Sequence, residues 1–307
     1  MKLHSQAWLA SINQIREESW GIDHLPRTPV VPSITPPLHP KLRALFQNIG
    51  KPRALGAGER IFSADTPIDQ IALTAKGITA RELGQGLGCN PMGIAPPGRI
   101  ACGNLNFYSS HSCIGSYFAL VPSEVILVSK SLLKGIFRKD PELSTLFAIN
   151  SELCALSDRL TFAAMSMLPA EDRIRAFFIG WAASYAVLRA DEQESSWLVM
   201  PATIQRRFLE RAVNASHASL ESTLRNWRAA GLLRRSGSNV WLRPALLEPC
   251  HQWMLSLEEP SEFHRPKRLL DFWRAAPGRF RSGPPAAWSA PRGGRQAIRT
   301  TSSGPRA

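Results

Sequence analysis

A chain of 307 residues is long enough for two small domains, each burying its own core. With 44% hydrophobic and 20% charged residues it has an ordinary globular composition, and no run of about 18 apolar residues could form a membrane-spanning helix. The net charge of +13 is unevenly spread: residues 264–307 hold +9, and residues 203–243 hold +6.

That second segment has eight arginines (206, 207, 211, 225, 228, 234, 235 and 243) against Glu210 and Glu221. Positive charge gathered on one short module reads as a nucleic-acid footprint; the alternative is a well-solvated helical face. The N-terminal "MKLHSQAWLASINQIREESW" carries acids early and lacks a continuous apolar stretch, so it is not expected to be a secretory signal. Five cysteines (Cys89, Cys102, Cys113, Cys154, Cys250) at irregular spacing argue against a disulfide framework and for a reducing, cytoplasmic compartment. No G-x-S-x-G, P-loop, HExxH or paired Cys-x2-Cys set occurs, so an enzyme is not expected.

In chain order, residues 1–37 end in "LPRTPVVPSITPP", where repeated prolines predict an extension and linker. "KLRALFQNIG" predicts a short apolar helix. Short β-favouring runs follow, such as Arg60–Phe62 and residues 70–73, punctuated at Gly56, Gly58, 65–67 and Gly77. The rhythm continues through "APPGRIACGNLNFYSSHSCIGSYFALVPSEVILVSK" and suggests an all-β roll or barrel.

The period then changes. Leu146, Ile149, Leu153, Leu156, Leu160, Ala163 and Met167 step by threes and fours, a seam of about three heptads. Such a helix either pairs with a copy of itself or packs on its own β-domain. Pro169 closes it, and "AEDRIRAFFIGWAASYAV" predicts another helix with Ile174, Phe177, Phe178 and Trp181 on its apolar face.

"PATIQRRFLERAV" reads as a helix with Pro201 near its start, and Asn214 as a turn residue able to adopt the left-handed conformation. Ser216 then caps a helix over residues 219–228, with Leu224 and Trp227 as core. Gly231 ends it, and "LLRRSGSNVWLRP" predicts a two-stranded wing. Helix, turn, helix and wing make a winged helix-turn-helix. The tail, 248–307, is rich in Gly, Pro, Ser, Ala and Arg and is expected to be disordered, adding salt-sensitive DNA affinity or nothing. Within it, "FHRPKRLLDFWRAA" could form a short basic amphipathic helix.

This order resembles the cyclic-AMP receptor protein/FNR (Crp/Fnr) family of bacterial transcription regulators. The likeness covers roughly residues 40–245, and its carriers are "LGAGERIF", "PPGRIACGNL", "SEVILVSKSLLKGIFRKDPEL", "DRIRAFFIGWA" and the winged helix. The resemblance implies an α+β fold: a cyclic-nucleotide-binding-like β-roll (jelly roll, 38–138), a dimerisation helix (139–168) and a C-terminal winged helix-turn-helix (169–247). It also implies a homodimer on double-stranded DNA with half-sites about one helical turn apart, and RNA polymerase as downstream partner.

Departures from the family pattern shape the expectations. Where cyclic-nucleotide binders carry Gly-Glu-Leu, this chain reads Gly103-Asn104-Leu105, and their phosphate-binding arginine aligns with Cys113. A neutral thiol cannot replace a bidentate guanidinium on a buried anion, a loss on the order of 2–5 kcal/mol, so no cyclic nucleotide is expected. Cys89, Cys102 and Cys113, with His111, could meet as metal ligands but lack signature spacing. Cys89 and Cys102 read as small buried hydrophobes and Cys113 as a candidate reactive thiol; haem stays open without specific support.

On the second helix, the family's base-reading positions fall on Ser216, His217, Ala218 and Ser222, so the target sequence is expected to differ from the usual family site. Arg206, Arg207, Arg225, Arg228, Arg234 and Arg235 are phosphate-contact candidates, or solvated side chains. Glu210 replaces a small residue where the two helices meet. Three functions remain: a signal-responsive DNA-binding dimer, a ligand-independent regulator, and a nonspecific basic nucleic-acid-coating protein.

Overall fold

A computed structural model describes residues 30–62, 67–83, 90–109, 115–190, 196–201 and 206–257. Helix α1 (Pro40–Ile49) starts at His39, whose Nδ1 accepts from Lys41 N at 3.1 Å, and buries Leu42 and Phe46. Eight strands follow: β1 (Lys51–Leu55), β2 (Arg60–Phe62), β3 (Gln70–Lys76), β4 (Thr79–Leu83), β5 (Asn90–Ala95), β6 (Arg99–Cys102), β7 (Ser116–Ala119) and β8 (Ser123–Ser129). They form two antiparallel sheets, ordered β1-β8-β3-β6 and β2-β7-β4-β5, the expected roll.

Alternation along the strands sorts the two faces of the first sheet. Ala72 and Val125 point into the roll with Leu55, Ile61 and Ala119. Their neighbours Ile71, Leu73, Ile126 and Val128 point outward and are covered by α1, by Leu133 and Phe137 of α2 (Lys130–Phe137), and by Leu146 and Phe147 at the head of α3.

Helix α3 (Pro141–Met167) begins where the Asp140 carboxylate accepts from Leu143 N at 3.1 Å. It packs on its own chain through Leu146, Phe147, Asn150, Cys154, Ser157, Thr161 and Ala164. The predicted seam therefore loses Leu146, which at 4% exposure belongs to the monomer core. Ile149, Leu153, Leu160 and Ala163 stay half-buried, while Leu156 and Met167 are exposed, with Phe162 beside them.

Helix α4 (Ala170–Tyr185) buries Ile174, Phe177, Phe178 and Trp181 as predicted. It leads into β9 (Val187–Ala190), β10 (Ser196–Pro201), α5 (Arg206–Ala212), α6 (His217–Ala229), β11 (Leu233–Ser236), β12 (Asn239–Leu242) and α7 (Pro244–Ser256). The third sheet runs β11-β12-β10-β9. Its inner residues Leu198, Met200 and Leu242 share one core with α4, α6 and α7.

Three expectations need correction. Pro201 does not open a helix: it ends β10, whose register against β12 closes at Pro201↔Asn239, and its carbonyl accepts from Trp181 Nε1 at 3.1 Å. The tail does not begin at 248, because α7 continues to Ser256 and buries Cys250, His251 and Met254. Residues 31–35 are not a loose linker: all five are buried between the roll, α3 and α4. No helix among the described residues is long and apolar enough to cross a membrane.

Candidate nucleic-acid interface and effector cleft

The turn between α5 and α6 is held from below. Asn214 takes the left-handed conformation (φ 47). Arg173 of α4 donates to the turn carbonyls, Nε to Val213 O at 2.8 Å and Nη2 to Asn214 O at 2.7 Å. Ser216 Oγ accepts from Ser219 N at 3.1 Å, the predicted cap. The helix it starts is longer than expected, running from His217 to Ala229. Leu220, Thr223, Leu224 and Trp227 are buried on its inner face, and Trp227 Nε1 donates to Glu171 Oε1 at 2.9 Å.

The outer face of α6 gathers the predicted readers. Ser216, His217, Ala218 and Ser222 are all exposed, as are Arg225 and Arg228. Asn226, one turn beyond Ser222, is exposed too and was missed; its i, i+4 spacing was the available signal. His217 Nδ1 lies 2.7 Å from Glu210 Oε1, so the replacement at position 210 of α5 orients a candidate base reader. Arg206 is not free for phosphate alone: it pairs with Glu221 of α6 at 2.6 Å. Arg207 and Arg235 are exposed.

Arg234 stands elsewhere. Alternation puts Val240 and Leu242 against the core beside α6, and Trp241 on the opposite face of the sheet. There the Arg234 guanidinium stacks 4.3 Å from the Trp197 ring and 4.2 Å from Trp241, and Arg243 lies 3.8 Å from Trp197. Stacking uses the π-face of a guanidinium and leaves its N–H edge for a partner. The strands β9 to β12 contain no carboxylate.

Around Gly103, Asn104 and Leu105 the described residues leave little space. Asn104, buried, and Leu105, 48% exposed, line a cavity of ≈ 20 Å³ with Thr35, Arg81, Tyr117, Cys154 and Asp158. That is room for about one water. Gly103 has φ +93 and a Cβ there would sit 2.5 Å from Gln70 O, so the turn leading to Asn104 requires glycine. Arg81 Nη2 meets Asp158 Oδ1 at 2.7 Å, the side chains 12% and 18% exposed. Burial works against the Arg81 charge, but Asp158 and Tyr117 outweigh it and hold its pKa above the ordinary value. Arg99, fully enclosed, donates through Nη1 to Thr35 O at 2.7 Å; burial lowers its pKa to about 10.

Both cations near the cavity are thus committed to groups of this chain. Burial likewise pushes the Cys154 thiol up to about 12, so it is protonated and inert at neutral pH. Sequence reading missed Arg81 and Asp158, which are brought together by the fold from distant segments. Cys102 is buried as expected, whereas Cys89, His111 and Cys113 lie outside the described residues. Among the described residues, no group of three or more His, Cys, Asp or Glu side chains could hold a metal ion.

No family model matches the chain. No curated protein matches it either. Solved structures do. FixK2 from Bradyrhizobium japonicum is 16% identical, with a TM-score of 0.56 over 69% of this chain and 99% of that one. CprK complexed with OCPA is 14% identical (TM-score 0.53; 73% and 98%). CLP, described as a c-di-GMP responsive global regulator of Xanthomonas campestris, is 14% identical (TM-score 0.52; 66% and 98%). These structural neighbours are Crp/Fnr family regulators, and the chain shares their fold.

Proposed function

We propose that this protein is a sequence-specific DNA-binding transcription regulator. It acts as a homodimer at promoters and works without a cyclic nucleotide. The observation that carries the reading is the outer face of α6, where His217, Ala218, Ser222, Arg225 and Asn226 stand exposed on a helix capped at Ser216 and braced by Arg173. Arg207, Arg228 and Arg235 supply phosphate contacts, and Arg206 does so beside Glu221.

Dimerisation uses the α3 strip Ile149, Leu153, Leu156, Leu160 and Met167, which the chain's own packing leaves partly open. Committed cations and a one-water cavity support an effector domain that has lost its small anionic ligand. RNA polymerase is the expected partner at the promoter, and no metal, haem or other cofactor takes part in this reading.

The test is selection of binding sites from random DNA by the full-length protein under reducing conditions with no added effector. A two-fold symmetric motif with half-sites about one helical turn apart is expected. Equal affinity for unrelated duplexes, with a steep salt slope, would instead mean a nonspecific coating protein.

A further inference from the structure

Residues 31–38, with a turn at 32–33, thread a cleft walled by β5 and β6 of the roll and by α3 and α4. The Ser157 hydroxyl of α3 lies 2.7 Å from Val31 O and 3.0 Å from Ile34 O, its one proton shared between them. One turn on, Thr161 Oγ1 accepts from Ser33 N at 2.6 Å. On the roll side, Thr35 N donates to Ile94 O at 2.9 Å and Ile94 N to Ser33 O at 2.7 Å, a parallel bridge that extends the open edge of β5. From β6, Arg99 reaches Thr35 O.

On the fourth wall, a Cβ at Gly180 of α4 would lie 2.6 Å from Ile34 Cγ1 and 2.7 Å from Pro32 O, so only glycine lets the segment pass. Ser33 holds φ 64, a conformation that a buried serine keeps only where its surroundings enforce it. Hydroxyls on the buried face of a helix are costly unless they are bonded. Here the Ser157 hydroxyl bonds the passing segment alone, and the Thr161 hydroxyl bonds it while donating to Ser157 O of its own helix at 2.8 Å. Strand addition at an edge, with side chains seated in pockets, is a recognised mode of peptide binding, and prolines lower the ordering cost.

We infer that this cleft is a receptor for a proline-containing segment and is filled by residues 31–38 of the same chain. The seated strand is a tie that fixes the DNA-binding module on the roll without a diffusible ligand. Its effect at DNA rests on the function proposed above; its seating does not.

The test compares full-length Ser157→Ala/Thr161→Ala with full-length Gly180→Ala, which attacks the same seat from α4 without removing a hydrogen bond. Amide exchange is followed at 31–38 and at α6, alongside affinity for the selected site. Both variants are expected to exchange about tenfold faster in the strap with α6 unchanged, and to bind the site about tenfold more weakly.

A wild-type strap that exchanges like free peptide would overturn the receptor. A loosened strap with unaltered affinity would overturn the tie. A wild-type protein that prefers no DNA sequence would sink the proposed function, while amide exchange would still decide the receptor.

Discussion

Replacing Asp158 by alanine tests whether the roll is riveted to α3 from inside. The pair with Arg81 spans β4 and α3 at 2.7 Å with side chains only 12% and 18% exposed. Removing one partner of a buried pair costs about 3–5 kcal/mol because the other charge is left uncompensated. The adjoining cavity of ≈ 20 Å³ gives water some access to Arg81, which places the expected loss at the lower end, about 3 kcal/mol. At roughly 2–4 °C per kcal/mol for a unit of this size, Tm should fall by about 6–12 °C in scanning calorimetry. The double variant Arg81→Met/Asp158→Leu removes both charges at similar volume and should recover most of that loss. A drop of less than about 2 °C for the single variant, or a double variant no better than the single, would refute the rivet.

Four further outcomes follow from the same geometry. Burial, then the Lys41 charge, holds the His39 pKa near 4 against 6.5 when unfolded, with Glu142 opposing. The folded state therefore binds its proton later than the unfolded state, and stability should decline as pH falls from about 6.5 towards 4. His39→Asn, which keeps a cap acceptor, should flatten that part of a pH–Tm profile. Leu156→Glu/Met167→Glu should leave monomer stability within about 0.5 kcal/mol, because both side chains are exposed, yet raise the dimer dissociation constant at least about 100-fold by sedimentation. His217→Ala should cost about 1–3 kcal/mol of base discrimination, and Glu210→Ala should add no further loss of discrimination in that background if it acts by orienting the ring. Arg225→Ala should reduce the salt slope of DNA binding by about 1, whereas Arg234→Ala, stacked away from α6, should leave the slope and lower Tm.

What could be read in the sequence was whatever local chemistry decides. Short strands with regular turn signals, the cap at Ser216, the left-handed Asn214, the stop at Gly231 and the apolar face of α4 each need only a few neighbouring residues to be recognised, and each is present. What escaped depends on long-range packing. Pro-rich 31–38 reads as a linker because its partners, Ile94, Ser157 and Thr161, are far away in the chain. The heptad count was blind to the fact that one flank of α3 is consumed by its own domain, which removes Leu146 from the seam. Arg234 looked like every other wing arginine until strand pairing set it between two tryptophans.

Adjacent residues on β4 explain how the roll and the C-terminal module become one unit. Successive strand residues point to opposite faces, so Arg81 turns to Asp158 on α3 while Glu82 pairs with Arg211 on α5. The same β4–β5 half of the roll carries Ile78, Ala80 and Ile94 into the core that contains Ile174, Phe177, Leu209 and Val213 of the C-terminal module. The turn before α6 is then gripped by Arg173 of α4, and α4 is packed on the strap at Gly180. Among the described residues, close-packed contacts run from α3 and the strap to α5, so a displacement of either is expected to reach it. These contacts hold the turn before α6 from within the chain, which supports the ligand-independent reading proposed above over the signal-responsive one.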